Sequence, residues 1–125
     1  MKCRVATIFT LLILNWGVAV GASAPSGPRP EATDASLNQG AEIYLRRCSF
    51  CHGLLGDGNG PAADFLDPRP RDFTLGTFKF RTTQSGELPR DEDLFRTISR
   101  GLSGTAMQAF DSDLIKNGLS ENERW

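Results

Sequence analysis

The sequence predicts an all-α fold: a small helical domain wrapped around a group that it carries. Three observations predict this. Helix-capping patterns and apolar residues at helical spacing recur at 36–47 and 91–101, and a third capping pattern stands at 120–123. Strand-like alternation is confined to Phe78 and Phe80, too short and isolated to seed a sheet. The chain has 125 residues and is 39% hydrophobic, and part of that fraction lies in its first 24 residues. So small a chain buries proportionally little of its own surface, and something else must supply its core.

The first element is an export signal. "MKCR" is a basic start, "VATIFTLLILNWGVAV" a long apolar run and "GASA" a set of small residues suited to cleavage. Residues 1–24 are read as a signal peptide, or, if uncut, as an N-terminal membrane anchor. The uncharged run from Val5 to Pro28, 24 residues, is long enough to cross a bilayer. Either reading puts the remainder outside the cytoplasm. Removing Lys2 and Arg4 with the signal leaves 12 basic against 15 acidic residues, a net charge of −3, and two cysteines, Cys48 and Cys51. Two cysteines exclude a disulfide-dense scaffold. The formal charge of the whole chain, −1, and the scattered basic residues exclude a nucleic-acid partner.

Residues 25–35, "PSGPRPEATDA", form a Pro-rich polar linker. The domain proper is 36–125. Ser36 with Gln39 makes a capping-box pattern, and Leu37, Gly40, Ile43 and Tyr44 share one face of a helix reaching about Arg47. Residues 53–76 are dominated by Gly, Pro and Asp and read as an ordered loop with one helical turn at 62–66. "RDEDLFRTISRG" is a second helix with an acidic first turn, an Arg100–Gly101 end and an apolar face of Leu94, Phe95 and Ile98. Residues 102–118 return to loop, with a turn near 111–116. Ser120 and Glu123 cap a last helix, and Trp125 follows at once. A helix of that length falls well short of independent stability. The expectation is a C-terminal helix largely truncated, which leaves the fold in need of a partner segment.

The first helix delivers "CSFCHG", residues 48–53. Three chemistries use such a motif. A redox dithiol sits at a helix N-terminus after a strand, where the dipole lowers a thiol pKa; here the motif follows a helix. Structural zinc needs four ligands, usually in two pairs, and no second Cys or His pair is present. The third is covalent haem, for which C-x-x-C-H is the attachment signature. Two thiols reach the two porphyrin vinyl groups, and the adjacent histidine comes under the iron as axial ligand. The export signal suits a haem attached after translocation. Of the two methionines, Met1 leaves with the signal and Met107 lies in the loop "GLSGTAMQAF", 55 residues after His52. That spacing lets the chain pass the haem edge and return on the other face with Met107 as a second axial ligand; ordinary core packing is the competing role.

Together "CSFCHG", "GDGNGP" (56–61), "RPRDF" (69–73), "FKFRT" (78–82), "DEDLFRTISRG" (91–101) and "GTAMQAF" (104–110) resemble class I, monohaem cytochromes c, the small exported or tethered bacterial kind. The resemblance runs from about Leu37 to Trp125. It implies Cys48 and Cys51 as thioether cysteines, His52 as proximal ligand and Met107 as distal ligand. It also implies Pro61 as the residue whose carbonyl accepts the Nδ1 proton of His52, and Gly40 and Tyr44 as the small-plus-aromatic pair crossed by the last helix. Gln108 departs from the proline that often follows the methionine, which loosens the ligand loop.

Arg71, Lys79 and Arg81 are candidate partners of the haem propionates, which need donors when half-buried; a solvated basic stretch is the plainer alternative. Trp125 is a further candidate through its indole N–H. "GDGNG" lacks the lysine of a phosphate loop and the full calcium pattern, so its glycines serve tight turns. Phe65, Phe73, Phe78, Phe80, Phe95 and Phe110 are candidate walls of the crevice or core. No acid, base or nucleophile is required. The expected function is one-electron transfer by one covalent haem c with redox proteins or a membrane oxidoreductase complex. The expected location is the periplasm or the outer face of a bacterial inner membrane. The alternative is a haem-binding enzyme subunit or gas sensor whose sixth iron site is labile or open.

Overall fold

The structure, a computed structural model, describes residues 25–125. Within them lie α1 (Asp34–Arg47), α2 (Ser49–His52), a 3₁₀ turn (Ala63–Phe65), α3 (Asp91–Arg100) and α4 (Glu121–Arg124). The signal or anchor readings for residues 1–24 fall outside the described residues. Among the described residues no helix is long and apolar enough to cross a membrane. The architecture is all-α; the sole pairing of extended backbone among them is an isolated bridge between Asp111 and Leu119.

α1 starts at Asp34, two residues before the expected start. Its cap is Thr33, whose Oγ1 accepts the Ser36 amide at 3.2 Å while Ser36 Oγ accepts the Thr33 amide at 2.9 Å. Ser36 therefore closes a capping box as its third residue, and Gln39 is not needed for it. Asp34 in the first turn and Arg46 and Arg47 in the last complement the helix dipole. At Cys48 the backbone kinks, and α2 continues for a single turn.

α3 has the expected bounds, but its inward face is more polar than expected. Phe95 is 2% exposed, Ser99 0% and Asp93 3%, while Leu94 is half-buried. Asp93 accepts the amides of Thr82 and Arg90 and the Thr82 hydroxyl, at 2.8, 3.1 and 3.0 Å. It ties the loop before α3 to the helix start. These bonds, led by the Thr82 amide, hold its carboxyl below the ordinary range.

α1, α3 and the 102–119 segment meet in one cluster: Ile43, Phe110 and Leu119, with Ile98 and Met107 packed against it. The last helix forms where the cap predicted it, with Ser120 N and Oγ donating to Glu123 at 2.9 and 2.7 Å. Residues 25–29 lie along the helix starts: Ser26 and Gly27 donate their amides to Glu121 at 2.8 and 2.9 Å, and Arg29 pairs with Asp91. Gly40 and Tyr44 do not act as a pair. A Cβ at Gly40 would meet nothing within 4 Å, and Tyr44 turns its hydroxyl to the carbonyl of Gly53 at 2.6 Å.

Candidate haem site

The end of α1 and the single turn of α2 bring Cys48, Cys51 and His52 onto consecutive turns of backbone. Both cysteines are free and partly exposed. Burial, then the neighbouring Cys51, pushes the pKa of the free Cys48 thiol up.

A one-turn helix leaves its carbonyls without partners inside itself. Here the glycine-rich loop supplies them. Gly53 N donates to Ser49 O at 2.9 Å, Ala62 N to Phe50 O at 3.0 Å, Gly60 N to Cys51 O at 3.2 Å and Gly58 N to His52 O at 2.9 Å. Only a glycine can make this approach at position 60. A Cβ there would lie 2.5 Å from Phe50 O and 2.6 Å from Ser49 O and Cys51 C, all main-chain atoms. The glycines thus fix the attachment motif through its own carbonyls, the role the sequence suggested only as tight turns.

The proximal hydrogen bond differs from expectation. His52 Nδ1 lies 3.0 Å from the carbonyl oxygen of Arg71, not that of Pro61. Pro61 is exposed; the residues on either side of it spend their amides on the carbonyls of α2, which turns this stretch to the motif backbone. The 70–73 segment closes the other side: Phe73 N donates to Gly56 O at 2.7 Å, and a Cβ on Gly58 would sit 2.8 Å from Pro70 O. A carbonyl only accepts, so Nδ1 is the donor of this bond, which in a neutral ring leaves the lone pair on Nε2. The Phe73 ring stacks on the imidazole, centroids 4.5 Å apart and planes at 19°, and Phe78 stacks on Phe73 at 6.0 Å. The sequence singled out Phe73 and Phe78 as possible crevice walls. It carried no signal for the Arg71 carbonyl, because any residue has one.

Arg71, Lys79 and Arg81 line one groove of about 340 Å³ together with Phe78, Ser85 and Glu87. Arg81 is already engaged, donating Nε to Gln84 O at 3.1 Å and Nη1 to Phe78 O. Met107 is half-buried against the Ile43, Phe110 and Leu119 cluster. Trp125 stacks on Phe95 with centroids 4.4 Å apart. Its Nε1 is buried with no partner, which leaves the donor but not the propionate contact in view. Of the six phenylalanines singled out, Phe95 and Phe110 are core, Phe78 is half-buried, and Phe65 (86% exposed), Phe80 and Phe73 stand outside the core.

These residues fit a haem on their own geometry. Two thiols and a histidine with a free Nε2 occupy adjacent turns, and the histidine ring is oriented by a hydrogen bond and a stack. The apolar side chains buried by the described residues are Ile43, Ala63, Phe95, Phe110 and Leu119, whereas Phe50, Leu54, Leu55, Leu75 and Phe80 are all more than half exposed. Such a domain is completed by a large apolar group. The chain carries one covalently attached c-type haem, at Cys48 and Cys51.

Comparison with known proteins agrees. A chain of the Kuenenia stuttgartiensis reducing HAO-like protein complex superposes with a TM-score of 0.67 at 41% identity. The match covers 78% of this chain and 40% of that one, so this chain spans well under half the length of its relative. Relatedness places the domain on the extracytoplasmic side of the membrane. Residues 35–121 match a family described as cytochrome c oxidase, cbb3-type, subunit III, and with 87 of its 125 residues inside that match, the chain belongs to that family.

Proposed function

We propose that this chain is an electron-transfer module of the class I cytochrome c type that works inside an oxidoreductase assembly as its haem c-carrying part, not as a freely diffusing shuttle. Its family and its resemblance to one chain of a multi-protein complex support this. The observation that carries the chemistry is the pairing of His52 Nδ1 with the Arg71 carbonyl. That bond favours the tautomer whose Nε2 would be available to hold the haem iron. When bound, the haem supplies the Fe(II)/Fe(III) couple. The residues around it orient the ligand and bury one side of the ring.

In this reading His52 and Met107 are the axial ligands, and Arg71, Lys79 and Arg81 present donors to the propionates from one groove. Residues 1–24 are removed on export or tether the domain to the membrane. A labile sixth site is the second reading. The packing of Met107 against Ile43, Phe110 and Leu119 favours it, because ligation competes with that contact. Expression in a host competent for haem attachment tests the first point: the intact mass rises by one haem, and the Cys48→Ala, Cys51→Ala double variant shows no rise. Wild type without covalent haem would overturn the function. The ferric protein should show the long-wavelength charge-transfer band of methionine-ligated haem. Its absence, with carbon monoxide binding at neutral pH, would select the labile site.

A further inference from the structure

Residues 101–111 carry Met107 and form no regular element. Backbone bonds fix them at a few points: Leu102 N to Met107 O at 2.9 Å, Thr105 N to Leu102 O at 3.1 Å, Leu119 N to Phe110 O at 2.5 Å, Phe110 N to Ile98 O at 3.0 Å and Asp111 N to Ser99 O at 3.4 Å. The last two run to the final turn of α3. Beside them lies Arg124 of α4, a charged side chain only 8% exposed. Its Nη1 pairs with the Asp111 carboxylate and donates to Ser99 Oγ at 3.1 Å. Its guanidinium also stands 5.0 Å above the Phe95 ring. One buried group from α4 thus grips α3 twice and the far end of the methionine loop once.

We propose that Arg124 is a positioning residue for Met107: it clamps Asp111 to α3 and so sets where the loop holds its thioether. The proposal rests on Met107 being an axial ligand. Stability alone explains the arrangement poorly. A buried ion pair is often no better than apolar residues of the same volume, and Arg124 Nε is left buried without a partner. What the guanidinium provides is direction. Its Nη1 meets both Asp111 and Ser99 while the flat guanidinium stands over the Phe95 ring, which holds the group in one geometry, whereas an apolar contact slides. α4 is a single turn that cannot persist alone. It is anchored on its outer side by Ser26 and Gly27 at Glu121 and on its inner side by Arg124. A disturbance of the segment at 25–29 would therefore reach the methionine loop through one short helix.

The test uses the haem-loaded full chain, wild type against Arg124→Gln and Arg124→Lys, with amide hydrogen exchange and ferric absorption read together. Arg124→Gln is expected to speed exchange at Phe110 and Leu102 by roughly tenfold or more while the amides of His52 and Gly58 keep their rates. It weakens the methionine band and lets carbon monoxide bind faster. Arg124→Lys keeps the charge but not the flat guanidinium over Phe95, and falls between the two. Unchanged exchange, or a rise spread evenly over all helices, would overturn the proposal. So would local loosening that leaves the band and carbon monoxide binding as in wild type. Should Arg124→Gln fail to fold, Arg124→Lys and Asp111→Asn are read by the same criteria. A wild type lacking the methionine band refutes the ligand reading separately; the exchange pattern then decides the clamp alone.

Discussion

Gly101→Ala is the sharpest probe of how the methionine loop is seated. Gly101 ends α3 with φ 65° and ψ −166°, a region essentially reserved for glycine that costs an ordinary residue about 1–3 kcal/mol. A Cβ at this position would stand 2.5 Å from Met107 O and Gln108 C, and 2.6 Å from Ala109 N. All three are main-chain atoms, so no rotamer relieves the contact. Restoring ordinary carbon contacts requires moving the loop by about 1 Å, and overpacking of this kind adds about 1–3 kcal/mol. A central value of about 4 kcal/mol corresponds to a fall in Tm of roughly 16–32 °C for a domain of this size. Thermal unfolding of the haem-loaded variant, followed by circular dichroism, measures it. The methionine band should shift or weaken in the same sample, since the clash falls on Met107 itself. A Tm within about 3 °C of wild type, with the band intact, would refute the close approach of loop and helix end.

Gly40→Ala is expected to act in the opposite direction. The site is exposed, inside α1 and open around the added Cβ, so the gain in helix propensity of about 1 kcal/mol raises Tm by roughly 4–8 °C. A loss would mean that a segment packs across this face, as the family resemblance suggests. Acid should unfold the domain through Asp93 and Asp111. Burial alone would raise Asp111, but the Asp113 amide and the hydrogen bond and charge of Arg124 outweigh it, so its pKa is lowered; Asp93 is lowered by its Thr82 and Arg90 bonds. With folded pKa values below the unfolded value of about 3.9, their contribution is complete above that pH and is lost as pH falls through the folded values. Acid titration of Asp93→Asn should therefore show lower stability than wild type at neutral pH and a flatter loss below pH 4 or thereabouts; an unchanged acid limb would remove Asp93 from this account.

The haem attachment was legible because it is written in side chains at fixed spacing: two thiols and an imidazole. The starts and ends of helices were legible where a cap announced them, as at Ser120 with Glu123 and at Gly101. The start of α1 was misplaced because Thr33 and Ser36 are both cap formers, and only the folded backbone selects which pair closes. Arg71 was singled out for its guanidinium, yet the contact it makes with His52 uses its carbonyl. Tyr44 was assigned to a helix crossing and serves instead to hold the loop after the motif. The inward turn of Asp93, Ser99 and Arg124 ran against the rule that polar residues stay outside; it became possible because each one finds partners from a distant segment.

By itself the sequence determined the cofactor, its Cys48–Cys51–His52 attachment motif and the helical class, because residue type and covalent reach dictate these. The tertiary structure decided which carbonyl orients His52, why glycines must stand at 58, 60 and 101, and how α4 grips the methionine loop. Those are matters of backbone groups meeting across long separations, and a backbone N–H or C=O is the same at every position of a sequence.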